Sequence, residues 1–354
     1  MDELIDRPVL AIDLGGTQIR AALITPDQQV RVRRAVPTRD EEGVEMVIAR
    51  ICDAAAGVRA DASAAGLPPP VGVGISAPGP LDPWRGVIVA PPNLSGWHDV
   101  PLASQVGGAL DLPVFLERDT NVALAAEWRY GAATGANNAV YITVSTGVGG
   151  AAVIDGRPLI GADGMAGEMG HLMVDLDGPP CGCGGAGHVE AIASGTAIAR
   201  DAQALLATGT SPRLARLVAA GEVVDAELVA RASDDGDPAC AAIMARARAA
   251  IGALCSSLVN LLNPDVIVIG GSIAEHRPRF FDEVHAALDR HSFDVPASRV
   301  RVELARLGGD VSLIGCLPIV NARISDPAFA GPSSGSATAA PHTAARKQEG
   351  AVRS

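Results

Sequence analysis

Three short apolar segments rich in β-branched residues each end in closely spaced glycines, and this pattern constrains the fold most. The segments and the glycine turns that follow them are Val9–Leu14 with Gly15 and Gly16, Ala139–Val144 with residues 145–150, and residues 266–269 with Gly270 and Gly271. Extended residues resume after the first two turns, at Gln18–Ile24 and residues 151–154. We therefore predict two strand, glycine turn, strand units in separate parts of the chain.

Helical and extended patterns alternate along the chain. Residues 41–56, 120–130 and 238–262 carry apolar side chains at helical spacing, whereas residues 71–77 and 114–116 form short apolar runs typical of buried strands. This alternation is typical of an α/β protein. The chain has 354 residues, and an average domain has ~150. We therefore predict two lobes with a cleft between them.

The charge balance and hydropathy pattern exclude several partners. The formal net charge is -12 and aromatic residues make up 3% of the chain, so we predict no nucleic-acid partner. No uninterrupted apolar run approaches the ~18 residues of a membrane span. Residues 1–7 are acidic and lack the cationic start of a signal peptide. We therefore predict a cytoplasmic protein without a membrane partner.

The chain contains one lysine, Lys347, in a polar segment near its end. This excludes a P-loop lysine and a pyridoxal Schiff base. Any bound phosphate must be held by backbone N–H groups, arginine or a metal ion. In the first turn, glycines allow N–H groups to approach anionic oxygens, Thr17 adds a hydroxyl donor, and Asp13 could hold Mg²⁺ through water. The alternative is an ordinary hairpin with a solvated Asp13.

Asp119 follows the apolar segment 114–116, at the end of a predicted strand. Open α/β sheets bind ligands at the carboxyl ends of their strands, and a carboxylate there can act as a general base. The alternative is that Asp119 is only the N-cap of the helix predicted over residues 120–130. The local sequence leaves both interpretations open.

Two histidines and two cysteines with metal-ligand spacing form a second candidate site. Cys181, Cys183 and His188 lie within eight residues, and His171 lies ten residues before Cys181. Four nitrogen and sulfur ligands suit a tetrahedral structural zinc site. In a reducing compartment this cysteine pair favours a metal over a disulfide. The alternative is free thiols and surface histidines.

Together these motifs resemble the ROK family of bacterial sugar kinases and sugar-responsive repressors, its glucokinases especially. The motifs that carry the resemblance are residues 13–17 with Arg20, 90–93, 119–121, 145–150, 167–171 and 181–184. The resemblance extends from about residue 9 to residue 320, and the ordered set of motifs is more specific than any one of them.

The resemblance implies a fold and a division into lobes. The fold is α/β, an actin-like ATPase (hexokinase-type, ribonuclease H-like) duplicated fold with two lobes around a cleft. The small lobe would comprise residues 8–116 and 311–325, and the large lobe residues 117–310. Residues 326–354 are rich in Ala, Pro, Ser, Gly and Thr and have no hydrophobic period, so we expect a disordered tail there.

The resemblance also implies an activity and its ligands. The activity is ATP-dependent phosphorylation of a hexose, first of all glucose to glucose 6-phosphate, with Mg²⁺ accompanying ATP and a structural Zn²⁺. Asp119 would be the base that accepts the proton of the attacking sugar hydroxyl. The family also suggests a homodimer or a homotetramer.

The matching positions implied to bind the sugar are Gly79, Asn93, Arg118, Asp119, Glu168, His171 and Glu190. Those implied to bind the nucleotide are Asp13, Gly15, Gly16, Thr17, Thr146, Gly147, Gly149, Gly270 and Gly271. The implied zinc ligands are His171, Cys181, Cys183 and His188.

The chain departs from the family pattern at two positions. Arg118 stands where the family usually has Asn, so we expect either a direct contact to a more acidic or differently arranged sugar, or pairing with Glu117 or Glu127. His188 stands where the family usually has Cys, and a neutral imidazole lowers the charge of the ligand set.

Several alternatives to glucose phosphorylation follow. The substrate could be N-acetylmannosamine, fructose, allose or mannose, and the phosphate donor could be polyphosphate or ADP. A sugar-binding regulator without kinase activity is a further alternative. Repressors of this family carry an N-terminal DNA-reading domain, and only twelve residues precede Asp13. We therefore expect no such domain here.

Overall fold

The computed structural model describes residues 7–91, 93–275 and 278–329. Its strands are β1 (Val9–Leu14), β2 (Gln18–Ile24), β3 (Val30–Pro37), β4 (Val73–Ala77), β5 (Leu81–Asp82), β6 (Val87–Ile88), β7 (Val114–Arg118), β8 (Ala139–Val144), β9 (Val148–Ile154), β10 (Arg157–Pro158), β11 (Val266–Gly270) and β12 (Arg301–Leu304).

The helices alternate with these strands. They are α1 (Val44–Ala64), α2 (Leu102–Leu110), α3 (Asp119–Tyr130), α4 (Glu190–Ala193), α5 (Gly195–Ala207), α6 (Pro212–Ala219), α7 (Ala226–Asp234), α8 (Pro238–Leu262), α9 (Pro278–His291), α10 (Asp294–Arg299), α11 (Val311–Ile314) and α12 (Cys316–Arg323). Short 3-10 helices lie at Asp40–Glu42, Met169–His171, Gly308–Asp310 and Pro327–Phe329.

Within the described ranges, two five-stranded sheets share one plan. The first has the strand order β3-β2-β1-β4-β7 and the second has the order β10-β9-β8-β11-β12. Each contains a hairpin closed by a glycine turn, β1 with β2 or β8 with β9, followed by parallel strands on one side. The predicted duplicated α/β architecture is therefore confirmed.

The central strands are buried because helices cover both faces of each sheet. Every residue of β4 and β11 is buried. In the first sheet, one face belongs to a core that includes Val47 and Ile51 of α1. The other face belongs to a core that includes Leu317 and Val320 of α12. Parallel strands covered in this way have near-continuous apolar sequences, as observed.

Helix α8 has the length and apolar composition of a membrane span. Its apolar side chains, including Ile251, Leu254 and Leu258, are buried. The helix packs against α7 and α9. These contacts are those of a helix in the core of the second half of the chain.

Helix α3 joins the two sheets. It follows β7 directly, contacts β8 and β9 of the second sheet, and packs against α11 and α12. Strand β7 extends to Arg118, so the predicted lobe boundary between residues 116 and 117 falls inside this strand. The start of α3 is therefore the place where the two halves of the chain meet.

The predicted tail begins at residue 326. Its first residues are placed against the body of the protein, because the guanidinium of Arg323 lies 4.2 Å from the centre of the Phe329 ring. Residues 330–354 lie outside the described residues.

A buried ion pair supports the end of β7. The Glu117 carboxylate pairs with Arg323 of α12, and both side chains are almost fully buried. Glu117 Oε1 also accepts hydrogen bonds from the backbone N–H of Arg118 at 2.8 Å and from the Asn121 side-chain amide at 2.9 Å. Nη1 of Arg323 donates to the Leu116 carbonyl at 3.0 Å. The pair thus fixes the connection between β7 and α3 against α12.

Replacing Arg323 by Met should destabilise the protein strongly, because it leaves the Glu117 charge buried without a cation. We expect the free energy of unfolding to fall by about 3–5 kcal/mol, measured by urea denaturation followed by circular dichroism. The matched control is Arg31→Met, since Arg31 and Asp27 form an exposed pair with side chains 49% and 58% accessible. Its effect should stay within about 0.5 kcal/mol, and equal effects of the two variants would contradict the assigned role.

Candidate functional site

The first glycine turn joins β1 and β2 and presents Asp13. Nε and Nη2 of Arg20 donate to Oδ2 of Asp13 at 2.9 and 2.7 Å, and Nη1 donates to the Gly309 carbonyl at 2.7 Å. The backbone N–H of Gly15 is used within the turn, where it donates to the Gln18 carbonyl at 3.0 Å. The next two residues, Gly16 and Thr17, are exposed. They form the part of this turn that is open to an anion.

The second glycine turn, between β8 and β9, is braced by the start of α5. The N–H of Ser145 donates to the Gly147 carbonyl at 2.9 Å, and the N–H of Gly195 donates to the Ser145 carbonyl at 2.8 Å. The hydroxyl of Thr196 donates to the Thr146 carbonyl at 2.8 Å. The bonds from Gly195 and Thr196 fix the Ser145 and Thr146 carbonyls on the side of the turn that faces α5.

A third glycine pair lies beside this turn, at the end of β11. The hydroxyl oxygens of Ser145 and Ser272 are 3.3 Å apart. Gly271 has φ +94°, and a Cβ there would overlap the carbonyl of Val144. The positive φ and the overlap with Val144 each require glycine at position 271. Gly270 and Gly271 therefore adjoin the second turn, and their role in binding a nucleotide stays a prediction.

Asp119 is the first residue of α3, at the junction of the two halves. Its Oδ1 accepts a hydrogen bond from the N–H of Thr120 at 2.7 Å, whereas Arg118 occupies the N-cap position. Asp119 is therefore not the helix N-cap.

The carboxyl group of Asp119 is open to solvent on one side and surrounded by protein on the others. The resulting loss of hydration raises its pKa to about 6. The N–H of Thr120 and the charge of Arg118 lower the pKa, while Asp13 and Glu168 raise it. Asp13 belongs to β1 of the first sheet and Glu168 lies between β10 and β11 of the second, so charges from both halves act on Asp119.

Arg118 is buried, with 3% of its side chain accessible, and it pairs with Glu168. Its Nη2 donates to the Ala166 carbonyl at 2.5 Å. The expected side-chain pairing with Glu117 or Glu127 is wrong. Glu117 is neutralised by Arg323, and Glu127 accepts backbone N–H groups from other segments. A direct contact of Arg118 with a sugar stays a prediction.

Two predicted sugar-binding positions of the first half lie close to these groups. A Cβ at Gly79 would be 3.0 Å from Cδ of Arg118 and 3.8 Å from Oε1 of Glu168. Asn93 is exposed, and its carbonyl would be 3.1 Å from a Cβ at Gly16. Asn93 therefore adjoins the first glycine turn, whereas Gly79 adjoins Arg118 and Glu168.

The four predicted zinc ligands come together. Their ligand atoms all lie within 4.8 Å of one another. Sγ of Cys181 is 3.7 Å from Nδ1 of His171, and Sγ of Cys183 is 3.2 Å from Nδ1 of His188. Sulfur and nitrogen ligands of one tetrahedral zinc ion lie about 3.5 Å apart. The donor set and its spacing therefore fit zinc, and Nε2 of His171 stays available for a hydrogen bond.

Glu190 connects this cluster with the second glycine turn. Its Oε2 accepts a hydrogen bond from the N–H of Val148 at 3.0 Å and would lie 2.7 Å from a Cβ at Gly147. Its Oε1 is 4.0 Å from Sγ of Cys181. Gly149, the residue after Val148, lies close to α3, because a Cβ at Gly149 would be 2.6 Å from Cγ2 of Thr120. The predicted sugar, metal and phosphate positions thus form one continuous site.

Arg20 and Glu117 hold this site but carry no role in the predictions from sequence. The sequence indicates that both residues need partners, because a charged side chain within an apolar strand pattern must be paired when it is buried. The partners are remote: Gly309 is 289 residues from Arg20, and Arg323 is 206 residues from Glu117. Local spacing cannot identify them.

Comparisons with known proteins agree with this arrangement. A model of the ROK family matches residues 9–323. A glucokinase of Halalkalibacterium halodurans is 32% identical over 311 residues, which cover 88% of this chain and 94% of that protein. An N-acetylmannosamine kinase of Escherichia coli O157:H7 is 35% identical over 265 residues, which cover 75% of this chain and 82% of that protein.

A crystal structure of a ROK family glucokinase from Streptomyces griseus, in complex with glucose and AMPPNP, is also similar. It has a TM-score of 0.73 and 30% identity, and the match covers 88% of this chain and 98% of that one. The predicted fold class is confirmed by this similarity.

A zinc ion held by the four ligands should depend on Cys183. Replacing Cys183 by Ser removes one thiolate, so we expect the bound zinc to fall well below one ion per chain and the thermal unfolding midpoint to drop. Elemental analysis by mass spectrometry measures the zinc. Cys52→Ser, in α1 of the other half, is the control and should keep its zinc. Wild-type protein that purifies without zinc and does not bind added zinc would contradict the site.

Proposed function

The chain belongs to the ROK family, and from this we propose that it is an ATP-dependent hexose kinase whose preferred substrate is glucose. The observation that carries the proposal is the position of Asp119, an exposed carboxylate with a raised pKa at the start of the helix that joins the two sheets. The similarity to proteins named glucokinase supports a sugar kinase. The choice of glucose rests on the same relatives and on the predicted sugar positions.

Phosphoryl transfer mainly needs alignment of the reactants and stabilisation of charge. In this proposal, the two glycine turns supply backbone N–H donors to the ATP phosphates in place of a lysine. Asp13, oriented by Arg20, would hold Mg²⁺ through water, and the ion would neutralise phosphate charge. The nucleotide-binding residues proposed are Asp13, Gly15, Gly16, Thr17, Thr146, Gly147, Gly149, Gly270 and Gly271.

Asp119 acts as the general base. It accepts the proton of the sugar hydroxyl while the hydroxyl oxygen forms a bond to the γ-phosphorus of ATP and the bond from that phosphorus to ADP breaks. The proton on Asp119 then returns to solvent. A pKa of about 6 suits this role, because the group is ionised at neutral pH yet more basic than an ordinary aspartate.

The sugar would lie between Asp119 and the histidine and cysteine cluster. Carboxylates at Glu168 and Glu190 accept hydrogen bonds from sugar hydroxyls. His171 would bind a structural zinc ion through Nδ1 and donate from Nε2, which the metal keeps in one tautomer. Gly79 and Asn93 complete the proposed sugar-facing set, and Arg118 lies beside Gly79.

The proposed function also leads to proposals for the cellular compartment and the oligomeric state. All six cysteines lie within the described ranges and are free, which suits the reducing cytoplasm where ATP is plentiful. We propose a cytoplasmic enzyme and, from the family resemblance, a homodimer or homotetramer.

N-Acetylmannosamine is the second candidate substrate. It is supported by the 35% identity to a kinase named for that sugar. The transferred group, the base and the phosphate turns would be the same, so only the contacts to the sugar substituents distinguish the two candidates.

The substrate is tested with wild-type protein, ATP, Mg²⁺ and a hexose panel in a coupled assay for ADP. We expect kcat/KM for glucose to exceed that for N-acetylmannosamine, fructose, allose and mannose. Asp119→Asn should lower kcat by about 10²–10⁴ fold and leave glucose affinity, measured by calorimetry, nearly unchanged. Asp111→Asn, at an exposed turn after α2, is the matched control. Full turnover by the Asp119 variant would refute the base, and glucose binding without turnover would indicate a sugar-binding regulator.

The pH dependence provides an independent test. Because the base must be ionised, kcat/KM for glucose should be constant above the pKa of Asp119 in the free enzyme, which is about 6, and fall tenfold per pH unit below it. An aspartate with the usual pKa of 3.8 would instead keep nearly full activity down to about pH 5. The pH profile of the wild-type enzyme distinguishes the two cases.

A further inference from the structure

Arg118 connects the two halves of the chain at the sugar site. Its backbone belongs to β7, which pairs with β4 in the first sheet. Its guanidinium reaches Glu168 and Ala166, which lie shortly after β10, an edge strand of the second sheet. A single side chain thus joins the end of one sheet to a segment attached to the other.

The guanidinium is used almost completely by protein acceptors. Nη1 pairs with Glu168, and Nη2 donates to the Ala166 carbonyl at 2.5 Å, with longer contacts of 3.4 Å to Asn121 Oδ1 and the Gly150 carbonyl. Nε is buried and has no partner among the described residues. With 3% of the side chain accessible, no donor of Arg118 is open to a ligand.

Close packing on both sides keeps Arg118 in place. A Cβ at Gly79 would be 3.0 Å from Cδ of Arg118, and a Cβ at Gly167 would be 3.0 Å from Nη2. Glu168, in contrast, keeps 48% of its side chain accessible. The acceptor of the pair is therefore available to a ligand, whereas the donor is not.

We infer that Arg118 is a positioning residue that clamps residues 166–168 to the end of β7 and orients Glu168 toward the substrate, instead of binding the sugar itself. The role of Glu168 as a sugar ligand rests on the proposed function, whereas the clamp does not. Because Glu168 already neutralises the guanidinium, Arg118 offers no free charge to an acidic sugar. The clamp therefore favours neutral hexoses as the substrate class.

Arg118→Asn, Arg118→Lys and Glu168→Gln test the clamp by hydrogen exchange. We expect amide exchange in a peptide covering residues 161–169 to become at least fivefold faster in each variant, because a lysine ammonium cannot keep both Glu168 and the Ala166 carbonyl. Arg157→Asn, an exposed residue in the same half, should leave exchange in that peptide unchanged. Glu168→Gln cuts the pair from its exposed side, so the test does not depend on the buried variants folding.

Glucose binding and kinetics test the indirect action of Arg118. If Arg118 acts through Glu168, each single variant should weaken glucose affinity about tenfold, and the double variant Arg118→Asn, Glu168→Gln should be no weaker than either. KM for glucose should rise with kcat changed less than threefold. A glucuronate competition assay should show no binding to the wild-type protein.

Three results would overturn the clamp. The first is amide exchange at residues 161–169 that is unchanged in Glu168→Gln. The second is wild-type exchange and glucose affinity in Arg118→Lys. The third is a loss of glucose affinity in the double variant that equals the product of the two single losses, as expected for two independent sugar contacts. The exchange measurement needs neither sugar nor ATP. It therefore separates failure of the clamp from failure of the proposed kinase function, which the hexose panel tests on the wild-type protein.

Discussion

The buried pair of Glu117 and Arg323 is the constraint on which the site depends. Glu117 is the second-last residue of β7, two residues before Asp119, and its two oxygens are occupied by Arg323, the Arg118 N–H and the Asn121 amide. Because α12 supplies the cation, the last described helix fixes the start of α3. The position of Asp119 therefore depends on contacts between segments about 200 residues apart in sequence.

Much of the fold was predictable because glycine turns and apolar runs are local signals. The predicted strands Val9–Leu14 and Ala139–Val144 coincide with β1 and β8, and the predicted helix 238–262 coincides with α8. The helix predicted over residues 41–56 extends instead over Val44–Ala64, because alanines and glycine continue it without a clear apolar period. Helix ends depend on such weak local preferences, so their positions were less predictable than the strands.

The residue types of the candidate site were predictable from the sequence, whereas the partners that these residues contact were less so. The four predicted zinc ligands lie together, and their short spacing in the sequence made this predictable. The partner of Arg118 could not be inferred, because Glu168 is brought near by the packing of the two halves and not by proximity in sequence. The position of Glu190 between the metal cluster and the second turn depends on tertiary structure in the same way.

The hairpins proposed to bind phosphate present amide groups of the backbone, and every residue type except proline carries that group. Mutation can therefore change these turns through shape much more readily than through charge. At Gly271, where φ is +94° and a methyl group would meet the backbone of Val144, the available space leaves glycine as the only fitting residue. Evolution toward a different phosphate donor would consequently have to begin with the residues that surround the turns.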